Sequence, residues 1–226
     1  MSAAPMVEIE DLVFDYGGGS FRLELPRLVI GRGERVACIG PSGSGKTTLI
    51  NLATGILVPR AGTVRLDGER IDGLSDAARR ARRISKVGMV FQEFELLEYL
   101  SARENLLLPY FVSGRLTLDA AVKERAAALA EALGIDAILG RRPARLSQGE
   151  RQRVAIGRAL VTEPVLIVAD EPTGNLDPRN ANRTLDLLFE RARERDAALL
   201  VVTHDHGLLE RFDRVIDLAR DGGGVR

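Results

Sequence analysis

Apolar residues fall along this chain in two rhythms, an every-second-residue alternation and short unbroken runs. Val7 to Phe14 and Phe21 to Ile30 carry the alternation, predicting two strands separated by a turn at Gly17 to Gly19. Further strands are predicted at Glu34 to Ile39, Gly62 to Leu66, Val87 to Phe91, Val165 to Ala169 and Leu199 to Thr203. The last two are apolar nearly throughout, as strands covered on both faces must be. Thr47 onward (TTLINLATGIL) reads as a helix, as does the charged stretch from roughly Arg179 to Arg195. Between Glu93 and Arg145 the character changes. DAAVKERAAALAEAL, from Asp119 to Leu133, is rich in alanine with apolar residues at helical spacing, and no comparable strand interrupts the region. The pattern predicts an α/β class: a largely parallel sheet with crossover helices, into which a mostly helical lobe is inserted.

Composition narrows the picture by exclusion. The chain has 226 residues, of which 45% are hydrophobic and 28% charged, as expected of one globular domain. Lysine plus arginine number 32 and so do aspartate plus glutamate, so no bulk charge draws the protein to nucleic acid. The first residues, MSAAPMVEIEDLVF, are acidic where a secretory signal needs a basic start. No run approaches the roughly 20 apolar residues of a membrane span. Direct membrane insertion is therefore not expected, and a membrane role would need an anchoring partner. Cys38 is the single cysteine, which excludes an intrachain disulfide and suits a reducing compartment.

Chemistry enters at Gly40-Pro41-Ser42-Gly43-Ser44-Gly45-Lys46-Thr47-Thr48. An apolar strand precedes this stretch and a helix follows it, the setting a phosphate-binding loop requires. Glycines allow backbone N–H groups to converge on phosphate oxygens, and the helix start adds its unpaired N–H groups. Lys46 is placed to reach the β- and γ-phosphates, and the Thr47 hydroxyl to ligate Mg²⁺. Downstream, the apolar run Pro164 to Ala169 ends in two adjacent carboxylates, Asp170 and Glu171. At a sheet's C-terminal edge, Asp170 is placed to hold the Mg²⁺ hydration shell and Glu171 to orient and polarise an attacking water.

With Leu146-Ser147-Gln148-Gly149-Glu150, followed by RQRVAIGRAL, the chain resembles the ATP-binding cassette ATPases over almost its whole length. The resemblance implies one cassette domain over residues 1–226. Its phosphate-loop core comprises 1–92 and 160–226, with an N-terminal antiparallel portion, and its helical subdomain comprises 93–159 and carries the signature. It also implies ATP and Mg²⁺ as ligands and an ATP-dependent head-to-tail homodimer, in which Ser147 and Gly149 cap the γ-phosphate held by the other copy. Gln92 matches the glutamine that touches Mg²⁺ or the attacking water, and His204 the histidine on the γ-phosphate. Asp177 matches the aspartate linking the two sites across the dimer. Tyr16 stands where the family stacks an aromatic on adenine, with Phe14 as the alternative ring. The family commonly has glycine at Gln148 and alanine at Gly157. The first departure leaves Ser147 and Gly149 in place, and the second is expected to loosen the helix a little.

Asp170-Glu171-Pro172-Thr173-Gly174-Asn175-Leu176-Asp177 and ARENLLLPY, from Ala102 to Tyr110, resemble the lipoprotein-release, macrolide-efflux and cell-division branch. That branch implies a separate integral membrane permease with few transmembrane helices, docked to the helical lobe at the cytoplasmic face. Hydrolysis would then drive export, extraction of a membrane-associated substrate or mechanical signalling across the membrane. An alternative is a recruiting or regulatory component of a cell-division or wall-remodelling complex, without transport. A chromosome or repair ATPase would carry a long coiled coil or a zinc insertion, and the sequence has neither.

Overall fold

The computed structural model describes residues 4–18, 21–174 and 178–220. Nine strands and six helices are described, in the order β1 (Val7–Asp15), β2 (Arg22–Ile30), β3 (Arg35–Ile39), α1 (Lys46–Ala53), β4 (Ala61–Leu66), β5 (Glu69–Arg70), α2 (Asp76–Lys86) and β6 (Val87–Val90), then α3 (Ala102–Val112), α4 (Ala120–Ala132), α5 (Gln148–Leu160), β7 (Leu166–Asp170), α6 (Pro178–Glu194), β8 (Ala198–Val202) and β9 (Arg214–Asp217).

Two sheets form. One is antiparallel, in the order β2-β1-β4-β5; the other has five strands in the order β6-β7-β8-β3-β9, with every pairing parallel. Because side chains alternate across a strand, the parallel sheet divides two apolar cores. Ala37, Ile167, Ala169, Leu199 and Val201 face one, with α3 to α6. Val36, Cys38, Leu166, Val168 and Leu200 face the other, with α1 and the antiparallel sheet. Burial of side chains such as Leu199 and Ile167 contributes about 2 kcal/mol each to holding this sheet between its two layers.

Close backbone approach sets α5 against the sheet. A Cβ on Gly88 of β6 would lie 2.3 Å from the Ala159 carbonyl oxygen, so only glycine admits the helix at that distance. Tyr110 of α3 donates to the Val161 carbonyl at 3.2 Å and accepts from Arg125 of α4 at 2.8 Å. Glu163 then pairs with Arg125 at 3.5 Å and with Arg195 at 2.5 Å, joining α4 to the end of α6.

Several local features depart from the sequence expectations. The helix after the phosphate loop ends at Ala53: Thr54 turns its hydroxyl back to the Ile50 carbonyl at 2.8 Å, and Gly55 takes a φ of +69°. The helix α2 was not expected, because DAARRARRISK is mostly arginine and small residues; its narrow stripe of Ala77, Ala81 and Ile84 is nowhere fully buried, Ser75 caps it and Asp76 pairs with Arg80 at 2.8 Å. The short strand β9 was likewise unexpected, and it exists by pairing with β3 at the sheet edge. Gly157 is buried in α5, where an added Cβ would meet the side-chain ends of Leu133 and Leu106 at 3.1 and 3.2 Å, so those leucines would have to give slightly to admit an alanine.

Candidate active site

Strands β3 and β7 are separated by β8, yet their C-terminal ends open on one cleft of about 520 Å³. Its walls include Ser42, Gly43, Gly45, Lys46, Thr47 and Thr48 from the loop that follows β3. Gln92 enters from beyond β6, Asp170 and Glu171 from the end of β7, and Tyr16 from beyond β1. Residues from four separate segments thus converge where open α/β sheets bind ligands.

The loop has the conformation its glycines permit. Gly40, Gly43 and Gly45 have φ values of +153°, +81° and +90°. Gly45 is constrained twice, since a Cβ there would also lie 3.0 Å from the Phe21 ring. Its left-handed turn is followed immediately by α1, whose N-terminus lacks a side-chain cap. The first-turn N–H groups are therefore left for an anion. Ser44 Oγ is buried without a hydrogen-bond partner among the described residues, a polar atom suited to a phosphate oxygen. Lys46 Nζ donates to the carbonyls of Gly40 at 2.7 Å and Pro41 at 3.0 Å, which holds the ammonium over the loop.

Thr47 Oγ1 donates to Asp170 Oδ2 at 3.0 Å, joining two groups 123 residues apart in sequence. Among the described residues no cluster of three His, Cys, Asp or Glu side chains would cage a metal alone. A hydroxyl and a carboxylate side by side do fit Mg²⁺, which takes few protein oxygens and completes its shell with phosphate and water.

Burial pushes the Asp170 carboxyl above its ordinary range; the Thr47 hydrogen bond opposes this, Glu171 adds to it and Lys46 opposes it. The native state therefore binds more protons than the unfolded chain between the unfolded and folded pKa values of Asp170. Stability from this group is complete below the unfolded pKa and declines as pH rises through that window. Asp170→Asn should remove the decline. In nucleotide-free thermal melts from pH 4 to 8, the variant's advantage over the parent is expected to grow with pH and then level off. An advantage that does not vary with pH would refute the assignment.

Glu171 has φ +48°, a left-handed conformation rarely taken by glutamate, and its N–H bonds to the Val202 carbonyl at 3.0 Å. This turn directs the side chain to His204, whose Nδ1 lies 2.8 Å from Glu171 Oε2. The carboxylate is mostly buried, 15% exposed, while the imidazole is 70% exposed. One carboxylate oxygen is thus oriented by the histidine. Gln92 is exposed on the cleft wall, near Gly174.

Tyr16 is 60% exposed and Phe14 only 6%, so Tyr16 offers the open ring. Phe14 supports it edge-on, with centroids 4.9 Å apart, and the Tyr16 hydroxyl bonds Thr48 Oγ1 at 2.9 Å. Phe21, which sequence reasoning passed over, lines the cleft with its centroid 5.5 Å from that of Tyr16. An aromatic residue at the first turn-to-strand step was the available signal.

Ser147 and Gly149 do not line this cleft. Ser147 is exposed at the N-terminus of α5, in a capping box with Glu150. Its N–H and hydroxyl both donate to Glu150 Oε2, at 2.7 and 2.8 Å. Those two bonds hold the Glu150 carboxyl below the usual carboxylate range, the backbone N–H first. Asp177 lies outside the described residues.

The fold and the cleft together define a phosphate-loop ATPase. Residues 24–174 match the family model described as ABC transporter, and the chain belongs to that family as an ATP-binding subunit. Among its relatives are the lipoprotein-releasing system ATP-binding proteins LolD. That of Xanthomonas oryzae pv. oryzae (strain MAFF 311018) is 40% identical over 219 residues, covering 96% of this chain and 89% of that protein. The Pseudomonas fluorescens protein is 47% identical over 186 residues, covering 82% and 81%. The ATP-binding cassette MJ0796, solved as a dimer in a post-hydrolysis state bound to ADP and phosphate, superposes with a TM-score of 0.81 at 32% identity, covering 94% of each chain.

Proposed function

We propose that this chain hydrolyses MgATP in head-to-tail pairs and that a separate permease uses the cycle to release lipoproteins from a membrane. The observation that carries the ATPase half is the gathering of Lys46, Thr47, Gln92, Asp170 and Glu171 around one cleft, while Ser147 and Gly149 stand outside it. Lys46 and the loop residues Gly40, Pro41, Ser42, Gly43, Ser44, Gly45 and Thr48 would hold the phosphates, and Tyr16 would stack on adenine. Thr47, Asp170 and Gln92 would hold Mg²⁺, which neutralises charge on the phosphate oxygens when bound. Glu171 takes the proton of the attacking water, with His204 holding the carboxylate in place and meeting the γ-phosphate. Ser147 and Gly149 of a second copy would close the site, the Ser147 hydroxyl turning from Glu150 to the phosphate; Asp177 would link the two sites. The dimer seen for MJ0796 supports this arrangement.

The lipoprotein half rests on the LolD relatives, which are lipoprotein-releasing ATP-binding proteins along nearly their whole length of similarity. No described helix is long and apolar enough to cross a membrane, and the proposal gives that role to a permease. A groove of about 180 Å³ between α2, β6, α3 and α5, lined by Met89, Phe91, Leu108 and Val112 with Arg83 and Arg158 beside them, offers it a largely apolar seat at the edge of the helical subdomain. Phe111 and Val112, 55% and 58% exposed, extend that surface.

The test is affinity purification in mild detergent from the native membrane, reconstitution of the copurified complex into liposomes with an acylated lipoprotein, and addition of ATP. Release of lipoprotein into solution is expected. A stoichiometric membrane partner that leaves the lipoprotein in the bilayer would overturn the substrate and move weight to a division or wall-remodelling role.

A further inference from the structure

After β6 the chain runs through Gln92 and then makes an unusual turn. Phe94 and Glu95 are consecutive non-glycine residues with φ values of +63° and +49°. L-residues enter that region singly and rarely, because Cβ crowds the backbone there. Local bonds, Phe94 N–H to Phe91 at 3.1 Å and Glu95 N–H to Glu93 at 2.7 Å, are too few to hold two such residues. The missing restraint comes from elsewhere in the fold. The Arg158 guanidinium donates to the Phe94 carbonyl at 2.6 Å and to the Glu95 carbonyl, one nitrogen to each.

Arg158 lies on α5 next to Ala159, the residue whose backbone rests against Gly88. The helix therefore meets the sheet at the base of this loop and carries the guanidinium to a fixed place. The Arg158 side chain also lines the groove between α2, β6, α3 and α5, while its guanidinium turns to the loop. Burial lowers its pKa and Glu95 only partly offsets this, so a charged group is kept in a costly setting whose hydrogen bonds are those to the two loop carbonyls. Further along, Asn105 of α3 closes the loop's other end, accepting from Leu97 N–H at 2.8 Å and donating to the Leu97 carbonyl at 3.0 Å. Phe91, Gln92 and Glu93 are the residues between the end of β6 and the carbonyls that Arg158 holds.

We propose that Arg158 is a positioning residue for ATP hydrolysis: by clamping Phe94 and Glu95 in the left-handed conformation it fixes the direction from which Gln92 enters the cleft. The clamp sits on the helix that begins at Ser147, so a displacement of that helix reaches Gln92 through one guanidinium. The inference rests on the reading of Gln92 as a contact of the metal or the attacking water.

Four variants of the full chain test it, with kcat and KM for MgATP and the nucleotide-free melting midpoint as readouts. Gln92→Ala should lower kcat; wild-type turnover there would remove the reading of Gln92 and the proposal with it. Arg158→Met keeps the stem but no donor, and should lower kcat about tenfold at unchanged KM. Arg158→Met combined with Glu95→Gly should recover at least half of that loss, because glycine takes a positive φ without the Cβ penalty. Arg158→Lys, which retains charge and one donor, should fall between, and stands in for the methionine variant if that chain does not fold. Reduced turnover in Gln92→Ala beside unchanged kcat in both Arg158 variants would overturn the clamp alone. A kcat loss that tracks the melting midpoint and is not recovered by Glu95→Gly would show that Arg158 only packs, and would overturn it too.

Discussion

Glu171→Gln is expected to cut ATP turnover by roughly 100- to 10,000-fold while leaving ATP binding intact, the range spanned by loss of a positioned general base. Glutamine reproduces the shape of glutamate and keeps an oxygen to accept from His204 Nδ1, now 2.8 Å from the carboxylate. It has no means of taking a proton. The turn at φ +48° is no harder for glutamine than for glutamate, so the backbone bond to Val202 should persist. With hydrolysis blocked and the phosphate site whole, the variant should accumulate as an ATP-bound dimer, visible by light scattering after gel filtration in MgATP. Undiminished phosphate release would remove Glu171 from the role proposed for it.

Lys46→Ala should fail earlier in the cycle. The ammonium is held above the loop by two carbonyls, at 2.7 and 3.0 Å, ready to exchange part of that bonding for phosphate. A hydrogen bond to a charged group contributes about 1.5–3 kcal/mol. At about 1.4 kcal/mol per tenfold, its loss predicts ATP affinity weaker by roughly ten- to a hundredfold. The nucleotide-free melting midpoint should move little, because Gly40, Gly43 and Gly45 shape the loop without the lysine. Calorimetric titration checks this directly, and unchanged ATP affinity would contradict the assignment. Together the two variants separate binding from chemistry.

Much of the candidate site was legible because its parts are local. A phosphate loop is contiguous, and the glycines, lysine and threonine that form it lie within nine residues of one another, Gly40 to Thr48. Buried strands such as Leu166–Asp170 and Ala198–Val202 were equally plain, since nothing polar interrupts them before their ends. The arginine-rich α2 is harder to read because its stripe, Ala77, Ala81 and Ile84, is narrow, made largely of alanine and nowhere fully buried. Arg158 escaped notice for another reason: it acts on Phe94 and Glu95, more than sixty residues away, and looks ordinary among its neighbours.

By itself, then, the amino-acid sequence determined most of the strand and helix pattern, α2 and β9 excepted, with the phosphate loop, the two carboxylates at a strand end and the serine-capped signature helix. These depend on spacing over a few residues, where backbone geometry leaves little choice. Tertiary structure alone decided that β8 lies between β7 and β3, and hence that Thr47 meets Asp170 and Glu171 meets His204. It also left Ser147 outside the cleft it is proposed to complete, and set Arg158 against the turn that follows Gln92. Such contacts come from the order in which strands pair and from how closely a helix can approach a sheet. Those are properties of packed surfaces, which no window of sequence contains.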